Sequence, residues 1–238
     1  MSAVETDHDS DLEALYATIA ARGFLAIGTG KLQFDPYLNH PDADQRRGLT
    51  LLIRIGGTLG ATFHAIQEAL RRADPGQYYY PPDDLHLTVL SLISASADFR
   101  CAAAEADHWA RLAAEALRGI TPFVIGYRGI VPSEAAIIAK GFYTQGLAAI
   151  RAQIRRMAAR NDMNLRERYQ SIAAHVTLAR FRVPPNDNEK LLAMLHQYHD
   201  VDLGELRVNQ LDLVIHDWYN HSSETIAQFT LGREDGFD

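Results

Sequence analysis

The chain has 238 residues, 47% of them hydrophobic and 22% charged, with a formal net charge of −7, the balance of a globular protein with a core of its own and not of a basic duplex-DNA binder. No apolar run reaches the roughly 20 residues of a membrane helix. Its one cysteine, Cys101, rules out an internal disulfide and points to the reducing cytoplasm, and the opening residues, with Glu5, Asp7 and Asp9, do not read as a signal peptide.

Residues 1–47 read as an N-terminal extension packed on or capping a main domain over 48–238. Ser10 and Glu13 suggest a capping box for a helix through about Ala21, with Gly23 as its stop. Gly28-Thr29-Gly30-Lys31 lacks the spacing of a phosphate loop and reads as a surface loop, continued by Pro36, Asn39, Pro41 and Asp42. A strand is expected over 49–55, turned by Gly56-Gly57-Thr58 into a helix to about Ala73 that Asp74-Pro75-Gly76 ends. Tyr78-Tyr79-Tyr80-Pro81-Pro82 leads stiffly into a strand over 86–93, and an Ala-rich helix spans 98–118. Strands over 123–130 and 135–142 form a hairpin through Val131-Pro132-Ser133-Glu134. A helix over 147–160 ends at Asn161-Asp162-Met163-Asn164, and a strand follows over 173–181. Pro184-Pro185-Asn186 precedes a helix over 188–198, and strands over 206–216 and 225–231 close the chain. The apolar phase slips at Asn209-Gln210, the signature of a bulge.

The order helix, strand, helix, two strands occurs twice. This internal duplication predicts an α+β fold of two pseudo-symmetric lobes, mostly antiparallel sheet with outer helices and a central cleft; the lobes are expected to exchange strands roughly around 86–93 and 173–181.

Each copy contains a His-apolar-Thr-apolar run, His86-Leu87-Thr88-Val89 and His175-Val176-Thr177-Leu178. Side chains two apart share a strand face, so His86 and Thr88 point one way and Leu87 and Val89 the other. His8 and His221 also fit His-x-Ser/Thr, but they lie in a polar terminal stretch and in a turn-like Tyr219-Asn220-His221-Ser222. If the two strands face one cleft, a neutral imidazole can take a proton from water while its protonated partner gives one to a leaving oxygen. Thr88 and Thr177 can donate to oxygens between the rings. A phosphodiester fits this set, and the arrangement requires no metal or other cofactor.

An anionic ligand also suits the arginines at 151, 155, 156, 160, 166, 168, 180 and 182, which face only Asp162 and Glu167 in that stretch. Most are expected on a solvated helix face, with Arg151 and Arg155 one turn apart. Arg180 stands out because it ends a motif strand. Tyr80 either packs the entry of the first motif strand or stacks on a base at the cleft mouth.

Asp84-Leu85-His86-Leu87-Thr88-Val89 and His175-Val176-Thr177-Leu178-Ala179-Arg180 resemble the paired signatures of the 2H phosphoesterase superfamily, the 2′-5′ RNA ligase-like and cyclic phosphodiesterase proteins. The resemblance spans roughly 49–231. It implies a pseudo-symmetric two-lobed fold and metal-independent hydrolysis of 2′,3′-cyclic phosphates or related nucleotide or RNA-end phosphodiesters. It also implies His86 and His175 as the acid–base pair, with His175 activating water and His86 protonating the leaving oxygen, and Thr88 and Thr177 as phosphate binders. Ile172-Ala173-Ala174 stands where many relatives have an aromatic residue and a proline. The expected partner is a nucleotide or RNA end, bound by a monomer, with no duplex DNA and no membrane. The alternatives are a binding module of the same fold that releases its nucleotide unchanged, and a metallohydrolase using His196, His199, His216 and His221, whose spacings match no common metal motif.

Overall fold

The computed structural model describes residues 3–232. Its helices are α1 (Ala3–Thr29), α2 (Gly57–Ala73), α3 (Ala103–Leu117), α4 (Gly146–Arg160) and α5 (Asn188–Gln197). Its strands are β1 (Arg47–Arg54), β2 (Tyr78–Tyr79), β3 (His86–Ser96), β4 (Phe123–Pro132), β5 (Ala136–Tyr143), β6 (Val176–Arg180), β7 (Asp202–Val208), β8 (Gln210–Asp217) and β9 (Ser223–Thr230).

The fold is α+β. One sheet runs β7-β4-β5-β6-β3-β1-β8-β9, with β2 beside β6. All pairs between named strands are antiparallel. The motif strands β3 and β6 lie side by side at its middle. The hairpin β4–β5 follows β3 in the chain but extends the sheet from β6, whereas β8 and β9 follow β6 but extend it from the β1–β3 side. Each half is therefore completed by strands from the other. The helices cross over in the same way. Leu59, Phe63, Ile66 and Leu70 form the buried stripe of α2, which packs on β6 and β7. The stripe of α4, Leu147, Ile150, Ile154 and Met157, faces α3 and β3.

The structure departs from the sequence expectation at three places. Helix α1 begins before Ser10 and runs past Gly23 to Thr29. Its buried stripe, Leu12, Tyr16, Ala20 and Ile27, passes through Gly23, where a Cβ would lie 2.2 Å from the Pro132 carbonyl oxygen. Gly23 is thus a point of close helix–strand approach and not a stop. His8 sits in this helix, and its side chain lies outside the described residues. Second, the phase slip at Asn209-Gln210 is a change of partner and not a bulge: β7 pairs with β4, whereas β8 pairs with β1 and β9. Only Asn209 separates these strands, which lie on opposite flanks, so the sheet must curl until the flanks approach each other. Third, Tyr78 and Tyr79 form a strand of their own, in register with Arg180 and Ala179.

In an exposed helix interior, Gly→Ala stabilises by about 0.5–1 kcal/mol. Gly23→Ala is expected to do the opposite, lowering stability by about 1–3 kcal/mol as the methyl forces α1 off β4. Thermal and urea unfolding of the variant would check the sign.

Candidate active-site cleft

β3 and β6 meet through one residue pair, Leu87 and Val176. Both are buried in the core, so the residues on either side point to the opposite face. Extending the antiparallel register by one residue each way sets His86 across from Thr177 and Thr88 across from His175. The two histidines then lie on a diagonal, roughly 7–8 Å apart at the backbone. A cleft of about 570 Å³ opens over this point, and Tyr80, His86, Thr88, His175, Thr177 and Arg180 all line it. A bulge follows Thr88, where Leu52 pairs with Thr88 but Leu51 with Leu90. The shift returns Ser91 to the cleft wall.

The rings of His86 and His175 are held differently. His86 Nδ1 lies 2.7 Å from the Asp84 carbonyl oxygen. It therefore donates there and leaves Nε2 as the free nitrogen. His175 Nδ1 is buried without a hydrogen-bond partner among the described residues. Burial pushes both rings down to about 4, opposed at His86 by the Asp84 carbonyl and reinforced at His175 by Arg151 and Arg180.

Arg151, expected on a solvated face, is 2% exposed. Its Nε donates to the Val89 carbonyl at 2.8 Å and Nη2 to those of Thr88 at 3.2 Å and Ala173 at 2.7 Å. Nη1 donates to the Ile172 carbonyl at 2.9 Å and the Tyr143 hydroxyl at 3.0 Å. A guanidinium has five N–H donors, and each has a target here. Arg151 thus fastens the first motif strand to the segment entering the second. One turn on, Arg155 faces the same way and grips Glu167 at 2.8 and 2.9 Å, while Arg166 bonds Glu105 at 2.7 Å. The arginine-rich stretch largely orders the loop before His175. Of the helical arginines, 156 and 160 keep to the solvent side.

Arg180 forms no ion pair among the described residues. Its Nε donates to the Tyr80 hydroxyl at 2.9 Å, and its guanidinium lies 5.9 Å from the rings of Trp218 and Tyr219. Tyr80 is 2% exposed, with its ring edge-on to Tyr78 and His86. The ring packs the entry of the motif strand, one of its two expected roles, and its hydroxyl holds Arg180 at the cleft. The hydroxyls of Thr88 and Thr177 have no protein partner among the described residues.

His216, weighed from the sequence only as a candidate metal ligand, and Trp218, which sequence reasoning missed, also line the cleft. The signal for His216 is its place on an alternating strand. Its Nε2 lies 2.8 Å from Thr50 Oγ1. The remaining histidines are scattered: His196 stacks on Phe24 at 4.7 Å, and His221 meets Asp84 at 2.9 Å. Among the described residues no group of three or more His, Cys, Asp or Glu converges as metal ligands.

Two outcomes follow from this geometry. Arg151→Met takes its donors from the carbonyls of Thr88, Val89 and Ala173, leaves that of Ile172 to Tyr143 alone, and is expected to cost about 3 kcal/mol or more in urea unfolding. The depressed histidines make the unfolded chain bind more protons than the folded one between about pH 6.5 and 4, so stability rises with pH across that window. The melting temperature should fall on acidification through it, and less steeply when His86→Gln and His175→Gln are combined.

No family model matches the chain, and no curated protein matches its sequence. Solved structures do. A Thermus thermophilus protein, TT0787, is 20% identical with a TM-score of 0.55, over 80% of this chain and 100% of its own. A structure described as a phosphoesterase is 15% identical with a TM-score of 0.54, over 79% and 99%. Escherichia coli LigT complexed with NADP+ is 15% identical with a TM-score of 0.51, over 79% and 99%. The chain therefore has the fold of TT0787, LigT and the structure described as a phosphoesterase, which it matches over essentially their whole lengths.

Proposed function

We propose that the chain is a 2H phosphoesterase, a metal-independent phosphodiesterase acting on 2′,3′-cyclic phosphates or related phosphodiesters of nucleotides or RNA ends. The observation that carries this reading is the Leu87–Val176 pair, which turns both His-x-Thr faces into one cleft beside Arg180. The fold shared with a phosphoesterase and LigT supports it.

The phosphate sits between the rings. Thr88 and Thr177 donate to its non-bridging oxygens, and Arg180 balances its charge. His175 takes a proton from water as the new O–P bond forms. The ribose oxygen opposite leaves as its P–O bond breaks and takes a proton from His86. The environments support this division of roles. The Asp84 carbonyl that accepts from His86 Nδ1 favours the imidazolium, whereas His175 has no acceptor there among the described residues and faces Arg151 and Arg180, which favour the neutral base. Bound phosphate, being anionic, raises both rings and supplies the proton affinity that the protein groups alone do not.

The test is hydrolysis of 2′,3′-cyclic nucleotide phosphates in excess chelator. Turnover should persist there and fall about 10²–10⁴-fold in His86→Ala and in His175→Ala. Binding without turnover would instead mark a nucleotide-binding module. For the free enzyme, both rings titrating near 4 make kcat/KM decline as pH rises from about 5 to 8, with the kcat profile displaced to higher pH by the bound anion. A level kcat/KM across that range, with chemistry rate-limiting, would remove the histidine pair from the mechanism.

A further inference from the structure

We propose that Tyr16, on the N-terminal helix α1, is a positioning residue for His175. The inference rests on the acid–base reading above and extends it to a part of the chain outside the paired motifs.

The starting point is the backbone just before His175. β6 begins at Val176, so residues 172–174 gain no ladder bonds from the sheet. Buried backbone groups must find partners elsewhere, and here the partners are side chains. The Ile172 carbonyl accepts from the Tyr143 hydroxyl at 2.6 Å and from Arg151 at 2.9 Å. The Ala173 carbonyl accepts from Arg151 at 2.7 Å. The N–H of Ala174 donates to the Tyr16 hydroxyl at 3.1 Å. That hydroxyl also accepts from the Gly141 N–H at 3.2 Å and donates to the Gly141 carbonyl at 3.0 Å. One donor and two lone pairs are all it has, and all are used.

Tyr16 therefore bridges β5 and the residue preceding His175 at the point where their ladder stops. The fit is close. A Cβ on Gly141 would lie 2.1 Å from the Ala174 carbonyl oxygen, so the two backbones reach this separation only with glycine at 141. Tyr16 is 1% exposed, with its ring edge-on to Phe142 at 5.6 Å. Burial pushes its phenol well above the usual range, so it stays protonated and keeps its donor.

The bridge matters because the two histidines are not anchored alike. His86 is oriented through Nδ1 by the Asp84 carbonyl. His175 Nδ1 has no partner among the described residues, so the placement of that ring depends on its backbone. Arg151 and Tyr143 hold the carbonyls upstream, and Tyr16 holds the amide next to His175. Leu15 and Ile19, on the same helix, line the cleft wall. Helix α1 is thereby a working part of the cleft.

Tyr16→Phe keeps the ring and removes the bridge. It is expected to lower kcat about 10- to 100-fold with KM within about two-fold of wild type, and to move the titration of the His175 ring followed by NMR. Leu12→Ala, which loosens α1 without touching Ala174, should lower the melting temperature and leave kcat and the His175 titration unchanged. Full kcat and an unmoved His175 titration in Tyr16→Phe would overturn the proposal, as would Leu12→Ala reproducing both effects. If the wild type hydrolyses no phosphodiester, the functional reading fails, and the NMR titration still decides whether Tyr16 governs His175. If Tyr16→Phe does not fold, amide exchange in the wild type decides. Slow exchange at Ala174 supports the bridge, and exchange at the rate of an open loop overturns it.

Discussion

The cleft depends on one buried cation. Arg151 reaches the carbonyls of Thr88 and Val89 on one side and those of Ile172 and Ala173 on the other. The two motif strands share only the Leu87–Val176 pair, so little main-chain bonding crosses the midline. A guanidinium suits this role because its planar fork spreads charge over fixed directions. A lysine would offer a point charge on a flexible stem and reach fewer of the carbonyls. Burying the charge without a carboxylate is costly, and four carbonyl dipoles and a phenol offset that cost. Removing any of these acceptors would leave the desolvated cation less compensated.

The same cation shapes the electrostatics of the site. Arg151 and Arg180 surround His175, and Arg180 also acts on His86. The cleft therefore sets neutral imidazoles beside positive guanidinium groups, within a chain whose formal net charge is −7. Trp218 extends this basic side, with the guanidinium of Arg168 4.6 Å from its ring and that of Arg180 5.9 Å away. Leu15, Ile19, Ile138 and Ile172 add apolar lining to the same cleft.

Much of this was legible in the sequence. Period-two alternation separated His86 and His175 from His8 and His221, and the structure puts both chosen residues on one cleft. The alternation of helices with short hairpins foretold an α+β fold built on antiparallel sheet. The failures have physical causes. Arg151 and Arg155 occupy one helix face, but spacing cannot say whether that face meets water or carbonyls. Gly23 carries the ordinary mark of a helix end, yet the stripe Leu12, Tyr16, Ala20, Ile27 continues through it, and that longer period was the better signal. At Asn209 a phase slip and a change of sheet partner look alike along the chain, because the difference lies in which distant strand is opposite. Tyr16 was invisible for the same reason, since its partners at Gly141 and Ala174 are far away in sequence.

The exchanged strands have a kinetic consequence. β1 must wait for β8 before its second edge is covered, and those strands lie near opposite ends of the chain. Such non-local pairings incur their loop-closure entropy before any contact repays it, which makes folding slow. As the polypeptide leaves the ribosome, β1 and β3 emerge long before β8, and β1 presents a strand with buried residues on both faces and an unpaired edge. Until β8 is made, that edge can pair with another nascent molecule, so the half of the sheet that carries the first histidine stays open to mispairing through most of synthesis.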